Sequence, residues 1–174
     1  YQFALQTPDT FIFSMRKAEE REKLFHWVGV IYEATPTVAV LTKRKDIKVT
    51  DINDLHQYTI GVVRGDYDEI MLRRLGLADN LYLALSYKEL WKMLQLERLD
   101  CVMTTKVVAN QIQKELNIKP DDVKMIYEIP DANSQLFLGA NIQTSPELVE
   151  KLRKSLISVK KDGRYQKIMD KWGV

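Results

Sequence analysis

From residue 58 to residue 129 short apolar runs alternate with segments of helical period, and this rhythm builds a mostly parallel sheet flanked by helices. Residues 58–63 read as a buried strand that stops at Arg64 and Gly65; Ile70, Leu72 and Leu75 then supply the apolar positions of a helix over residues 68–75. Residues 81–85 are a second strand, after which Ser86 and Glu89 form a capping box that opens a helix with Leu90, Met93 and Leu94 on one face. A third strand over 99–103, a helix over 106–116 ended by Asn117 and Pro120, and a strand over 123–129 complete the unit.

Two β-rich segments, residues 37–42 and 135–142, flank that unit and are candidates for a paired crossover between two lobes. Downstream, Thr144, Ser145, Pro146 and Glu147 mark a helix start, with Leu148, Leu152 and Leu156 as its apolar stripe. Asp162 and Gly163 break that helix, and Tyr165, Ile168, Met169 and Trp172 restart the period in a terminal one.

Composition removes several function classes. With 45% apolar and 29% charged residues in 174, the chain has enough apolar side chains for a sizeable core and is not a disordered segment. Lys plus Arg number 26 against 24 Asp plus Glu, spread along the chain, so no nucleic-acid partner is indicated. The longest apolar runs, such as residues 27–32, fall far short of the ~20 residues of a membrane-spanning helix. The first residues show neither a basic start nor a long apolar segment with a cleavage site, so any export signal lies outside this chain.

The single cysteine, Cys101, excludes an internal disulfide and reads as a small core residue, a reactive thiol being the alternative. His26 and His56 are isolated, each facing solvent or held by local hydrogen bonds, and neither has partners at metal-ligand spacing. Trp27, Trp91 and Trp172 read as core. No nucleophile, base and acid recur at telling positions and no Gly-rich phosphate loop is present, so the expectation is a non-enzyme without cofactor or metal. Asp121 and Asp122 read as a helix-to-strand turn.

Four segments, in order, resemble the extracellular solute-binding proteins of the amino-acid type, family 3 of the ABC transporters, which also occur as sensor modules. They are Phe13 and Ser14 through Glu20, Arg21, Glu22, Phe25, Trp27, Val28 and Gly29; Asp54 and Leu55 with Ile60, Gly61, Val62 and Gly65; Leu94 with Glu97 to Asp100; and Asp162, Gly163, Tyr165, Ile168 and Trp172. The resemblance implies an α/β, periplasmic-binding-protein-like, two-lobed fold (type II), with two mixed sheets flanked by helices and joined by crossover strands. Residues 1–41 and 140–174 would be a partial first lobe, and residues 42–139 a nearly complete second one. Family members usually begin with a strand, a helix and a second strand that this chain lacks. Exposed sheet edge and apolar surface in the first lobe would then favour self-association.

The resemblance further implies a periplasmic protein, exported by a signal peptide not in this chain, that closes on a small carboxylate-bearing, amino-acid-like ligand and delivers it to an ABC permease. A sensor module with altered or lost ligand binding and a protein partner is the alternative. Arg21 aligns with the arginine that grips the ligand carboxylate through a planar fork of donors, although it also fits the charged face of a short helix among Glu19, Glu20 and Glu22. Ser14 belongs to the same segment. Across the cleft, the N–H groups of Gly65, Asp66 and Tyr67, where a strand feeds a helix, form an anion site to which Arg64 adds a cation, with helix capping the competing role for Asp66. Two positions depart from the pattern. Ala18 replaces a hydroxyl residue, and Thr105 stands where amino-acid binders place the aspartate that pairs with the ligand ammonium. A hydroxyl cannot neutralise a buried ammonium, so a carboxylate without an amine, a differently oriented zwitterion, or no ligand fits better than an ordinary α-amino acid.

Overall fold

The computed structural model describes residues 1–130 and 132–172, the side chain of Trp172 excepted. The chain opens with helix α1 (Gln2–Gln6), strand β1 (Phe11–Met15), helix α2 (Glu19–Glu22) and strand β2 (Phe25–Glu33). Strand β3 (Thr37–Leu41) leads into β4 (Ile60–Val63), α3 (Tyr67–Arg74), β5 (Leu81–Ala84), α4 (Tyr87–Gln95), β6 (Cys101–Thr104) and α5 (Lys106–Leu116). Strands β7 (Val123–Glu128) and β8 (Gln135–Asn141) and helices α6 (Pro146–Lys161) and α7 (Arg164–Trp172) complete it.

Two compact units divide these elements: Tyr1–Glu33 with Asn133–Val174, and Ala34–Ala132. In the first unit β8 pairs antiparallel with β1 on one side and β2 on the other. In the second, five strands lie in the order β5-β4-β6-β3-β7, with β4 parallel to β5 and β6, and β3 antiparallel to β6 and β7.

The crossover expected from the sequence is therefore placed differently. Segments 37–42 and 135–142 do not pair with each other. Residues Thr37–Leu41 pair within the second unit's sheet and Gln135–Asn141 within the first unit's. The chain passes between units at Glu33 to Ala34 and near Ala132 to Asn133, several residues before each boundary drawn from sequence. The misplacement has a simple cause: apolar β-branched runs mark strands but not the sheet they join.

The second unit shows why its strands are nearly all apolar. Alternate residues point to opposite faces, so Val38, Val40, Ile60, Val62, Cys101 and Met103 join one core layer, while Ala39, Leu41, Ala84 and Val102 join the other. Met71 and Leu72 of α3 cover the first layer, and Leu90, Trp91, Leu94, Ala109 and Ile112 of α4 and α5 cover the second. Each such side chain, fully buried, contributes about 1.5–3 kcal/mol relative to exposure. Cys101 is buried within the first layer. Burial, with the Asp100 carboxylate adding to it, pushes its thiol up to about 12. A thiol reagent added to the native protein should accordingly meet a protected thiol, and labelling at the rate of a small free thiol before denaturant is added would contradict this.

Caps fall where short polar side chains precede apolar periods. Ser86 accepts from the Glu89 N–H at 3.2 Å, but the Glu89 carboxylate turns back one residue further than a capping box requires and accepts from the Leu85 N–H at 3.0 Å. Ser145 caps α6 by accepting from the Leu148 N–H at 3.2 Å, with Pro146 in its first turn and Thr144 buried beneath. Asn117, left-handed at φ 53°, ends α5. Asp100, from the third sequence segment of the family pattern, has a structural task. Its carboxylate accepts from the Thr59 N–H at 2.9 Å and from Arg44 at 3.0 Å, pinning the entry of β6 to that of β4.

Candidate functional site

The parallel strands of the second unit direct their carboxyl ends to one edge of its sheet, where open α/β sheets bind ligands. Gly61 lies beside Val102 and Tyr82, so the residues that follow β4, β6 and β5 leave at the same end. This brings together Arg64 to Tyr67, Thr105 and, from the start of α4, Tyr87, which the sequence reading did not single out. Its position just after a parallel strand was the signal available.

The backbone turns sharply at Gly65, whose φ of +75° suits a residue without a Cβ. Asp66 then caps α3, accepting from the Tyr67 N–H at 2.7 Å, while its second carboxylate oxygen accepts from the Tyr87 hydroxyl at 2.8 Å. The Gly65 N–H donates to Glu69 at 2.7 Å, and the Asp66 N–H donates to the Val63 carbonyl at 3.1 Å. The three donors expected to hold a ligand anion thus already hold acceptors of this chain, two of them carboxylates. The capping role of Asp66 and the carboxylate of Glu69 together fill the geometry that a carboxylate ligand would use. Arg64 is exposed beside the turn.

Burial raises the Glu69 pKa, but the Gly65 N–H and Arg73, which donates to its other oxygen at 2.9 Å, outweigh this and leave it below the usual carboxylate value. A depressed pKa makes the contribution of this carboxylate complete above the unfolded value near 4.5 and lost as pH falls through the lower folded value. Acid titration followed by circular dichroism should show a stability loss below pH ~4.5 that is smaller in Glu69→Gln. Equal slopes in both proteins would refute the assignment.

Thr105 is buried at the first turn of α5 and its hydroxyl accepts from the Val108 N–H at 3.4 Å. It acts as a helix cap, a position where it supplies no charge. Asp68, buried one residue into α3, is a charged residue that the sequence reading took only as a helix start.

In the first unit Arg21 sits in the four-residue α2, half-buried, with its guanidinium 5.3 Å from the Tyr1 ring centroid. Tyr1, Phe25, Trp27 and Phe137 form a row with successive ring centroids 5.7, 6.2 and 5.5 Å apart. Lys17 lies over the far end, 4.7 Å from Phe137 and 5.4 Å from Trp27. Trp27, read as core, packs half-buried against the Ala4, Met15 and Phe25 core cluster and belongs to an aromatic wall capped by cations, its indole N–H donating to the Glu22 carbonyl at 2.9 Å. Trp91 is fully buried, and the Trp172 side chain lies outside the described residues. Ser14 stands exposed in a bulge of β1 at φ +57°, and Arg16, passed over in the sequence, is buried beside it. Buried arginines are uncommon, so Arg16 adds a cation to a segment already carrying Lys17 and Arg21.

His26 is held locally, its Nε2 donating to the Ile142 carbonyl at 3.0 Å. Among the described residues no group of three His, Cys, Asp or Glu side chains is placed to hold a metal, and no helix is long and apolar enough to cross a membrane.

The sequence matches the family profile of the bacterial extracellular solute-binding proteins, family 3, over residues 4–174. The chain belongs to this family. Among solved structures, an ancestral arginine-binding protein bound to arginine superposes with a TM-score of 0.75 at 26% identity, covering 91% of this chain and 69% of that one. A histidine kinase sensor domain with similarity to periplasmic binding proteins gives 0.83 at 15% identity, over 94% and 69%. An amino acid ABC transporter substrate-binding protein from Streptococcus pneumoniae, bound to L-arginine, gives 0.77 at 21%, over 91% and 65%. This family 3 chain thus spans about two thirds of the length of these structures. No curated protein matches it.

Proposed function

We infer that this family 3 chain is an extracytoplasmic solute-binding protein that captures a small carboxylate-bearing solute for an ABC importer, located in the periplasm after export. The observation that carries the reading is Arg21, which sits on α2 at the rim of an aromatic wall and which the sequence resemblance aligns with the family's carboxylate-gripping arginine. A planar guanidinium meets both oxygens of a carboxylate at once, and ring faces beside it accept an apolar or cationic solute body. Support comes from ancestral relatives at 26% and 27% identity that were solved with arginine and with glutamine. Within the second unit, Arg64 stands exposed beside the Gly65–Tyr67 turn, whose N–H groups already hold acceptors of the chain itself. Thr105 supplies no counter-charge for an ammonium. Binding, not catalysis, is the reading, and no cofactor enters it.

A thermal-shift screen of carboxylic acids and amino acids against their methyl esters tests this. A shift with acids and none with esters supports the reading, and equal shifts with both defeat it.

A specific observation favours the alternative, a sensor module with a protein partner. Glu69 and Asp66 occupy the N–H donors of the second unit, which weakens anion capture there. In that case Glu69→Gln should increase solute-induced stabilisation, and a decrease would count against the alternative.

Self-association belongs to the same proposal. Tyr1, Phe3, Phe13 and Leu24 expose large apolar surface on the first unit, and β1 is an edge strand. Sedimentation velocity should show a dimer or larger species at micromolar concentration, and a single monomer boundary would end this part.

A further inference from the structure

At the end of the second unit's sheet away from the Gly65 turn, β3 leaves at Leu41, β7 enters at Val123 beside it, and β4 and β6 begin. A cavity of about 540 Å³ opens there between the segment after β3, the end of α4 and the turn before β7. Leu41 and Ile118 form its apolar part, each 6% exposed. Lys43 and Lys45 line it after β3, and Asp121 and Asp122 line it from the Pro120–Asp122 turn.

The charges are not consumed by one another. Lys43 is paired with Glu97, whereas Lys45, Asp121 and Asp122 make no ion pair among the described residues. The hydroxyl of Thr42, also in the lining, is buried at its oxygen with no hydrogen-bond partner.

We propose that this cavity is a second binding site, for short zwitterionic peptides, separate from the Arg21 site and independent of its function. The lining presents a cation, two carboxylates and an apolar floor. A plain anion or a plain amine would satisfy one sign and leave the other facing it. A zwitterion with separated ends satisfies both, its ammonium toward Asp121 and Asp122 and its carboxylate toward Lys45. The volume lies inside the range of about 300–1,000 Å³ typical of small-molecule sites, enough for a peptide of about two to four residues. Leu41 and Ile118 then take a small apolar side chain.

The test is a titration of isotope-labelled full chain with tri-alanine, followed by amide shifts in heteronuclear NMR spectra. Shifts are expected at residues 41–45 and 118–122, and they persist in Arg21→Ala. The double variant Asp121→Asn, Asp122→Asn should bind tri-alanine at least ~5-fold more weakly, a loss near 1 kcal/mol. N-acetylation of the peptide should weaken binding to the parent chain and leave the double variant unaffected. Lys45→Gln, a change at an exposed side chain, gives a second variant that does not threaten the fold. The proposal is overturned if residues 41–45 and 118–122 do not respond at tens of millimolar peptide, if the shifts vanish with Arg21→Ala, or if the charge variants bind as the parent does.

Discussion

Replacing Arg21 by alanine is expected to remove the stabilisation that a carboxylate solute gives this protein. With solute at 100 times its dissociation constant, that stabilisation is about 2.7 kcal/mol, which for a chain of this size is roughly 5–10 °C in melting temperature. A hydrogen bond to a charged group contributes about 1.5–3 kcal/mol, so losing a two-pronged grip should weaken binding about 100-fold and leave almost no shift under the same conditions. Arg21→Lys should fall between, since an ammonium keeps the charge but not the fork. Without solute the cost should be below about 1 kcal/mol, because α2 buries no residue and Arg21 itself is only half-buried. Differential scanning fluorimetry of the three proteins, with and without solute, separates these effects. An undiminished shift in Arg21→Ala would show that the arginine belongs only to the charged face of its helix.

The largest expected loss of stability comes from a residue with no side chain. A Cβ built on Gly61, in the middle of β4, would stand 2.7 Å from Leu99 Cδ1, 2.8 Å from Leu90 Cδ2 and 3.1 Å from Val102 Cγ1. Leu90 and Leu99 are essentially unexposed, so neither can swing away without displacing the packed layer between the sheet and α4. Gly61→Ala should cost about 1–3 kcal/mol, the usual range for overpacking, and Gly61→Val more than that. Urea unfolding would read this as a lower midpoint with an unchanged slope. A midpoint for Gly61→Val within error of the parent would mean that the layer is softer than its contacts indicate. The Gly61 backbone φ is ordinary, so packing alone decides the outcome.

Legibility differed between the two units. In the second, nearly every element was readable because local signals agreed: Asn117 ends α5 where the sequence placed the stop, and Ser86 caps α4 as expected. Gly61 belongs to the segment that carries the family resemblance, but nothing local announced that a leucine pair would press on it. In the first unit the outlines of β8, α6 and α7 were legible, and Trp27, read as core, does pack on the Ala4, Met15 and Phe25 cluster while staying half-buried. Its place in a wall between Phe25 and Phe137, under Lys17, depends on partners 110 residues away in sequence on β8.

The candidate site shows the same division. Residue types were enough to place a turn at Gly65 and a cap at Asp66, because each rests on backbone conformation or donor geometry that a single residue and its neighbours determine, whereas a carboxylate-gripping role for Arg21 comes only from the family resemblance and remains a proposal. They were also enough to show that Thr105 brings no charge. Only the tertiary structure decided that Glu69 and Asp66 turn their carboxylates onto the N–H groups offered to a ligand, and that Tyr87 joins them from the start of another helix. It also decided which sheet receives β3 and which receives β8. A hydrogen bond between near neighbours is encoded in the residues that make it. Strand partners and the occupancy of a shared donor are settled by competition among all the groups that folding brings together, and that competition has no local trace in the sequence.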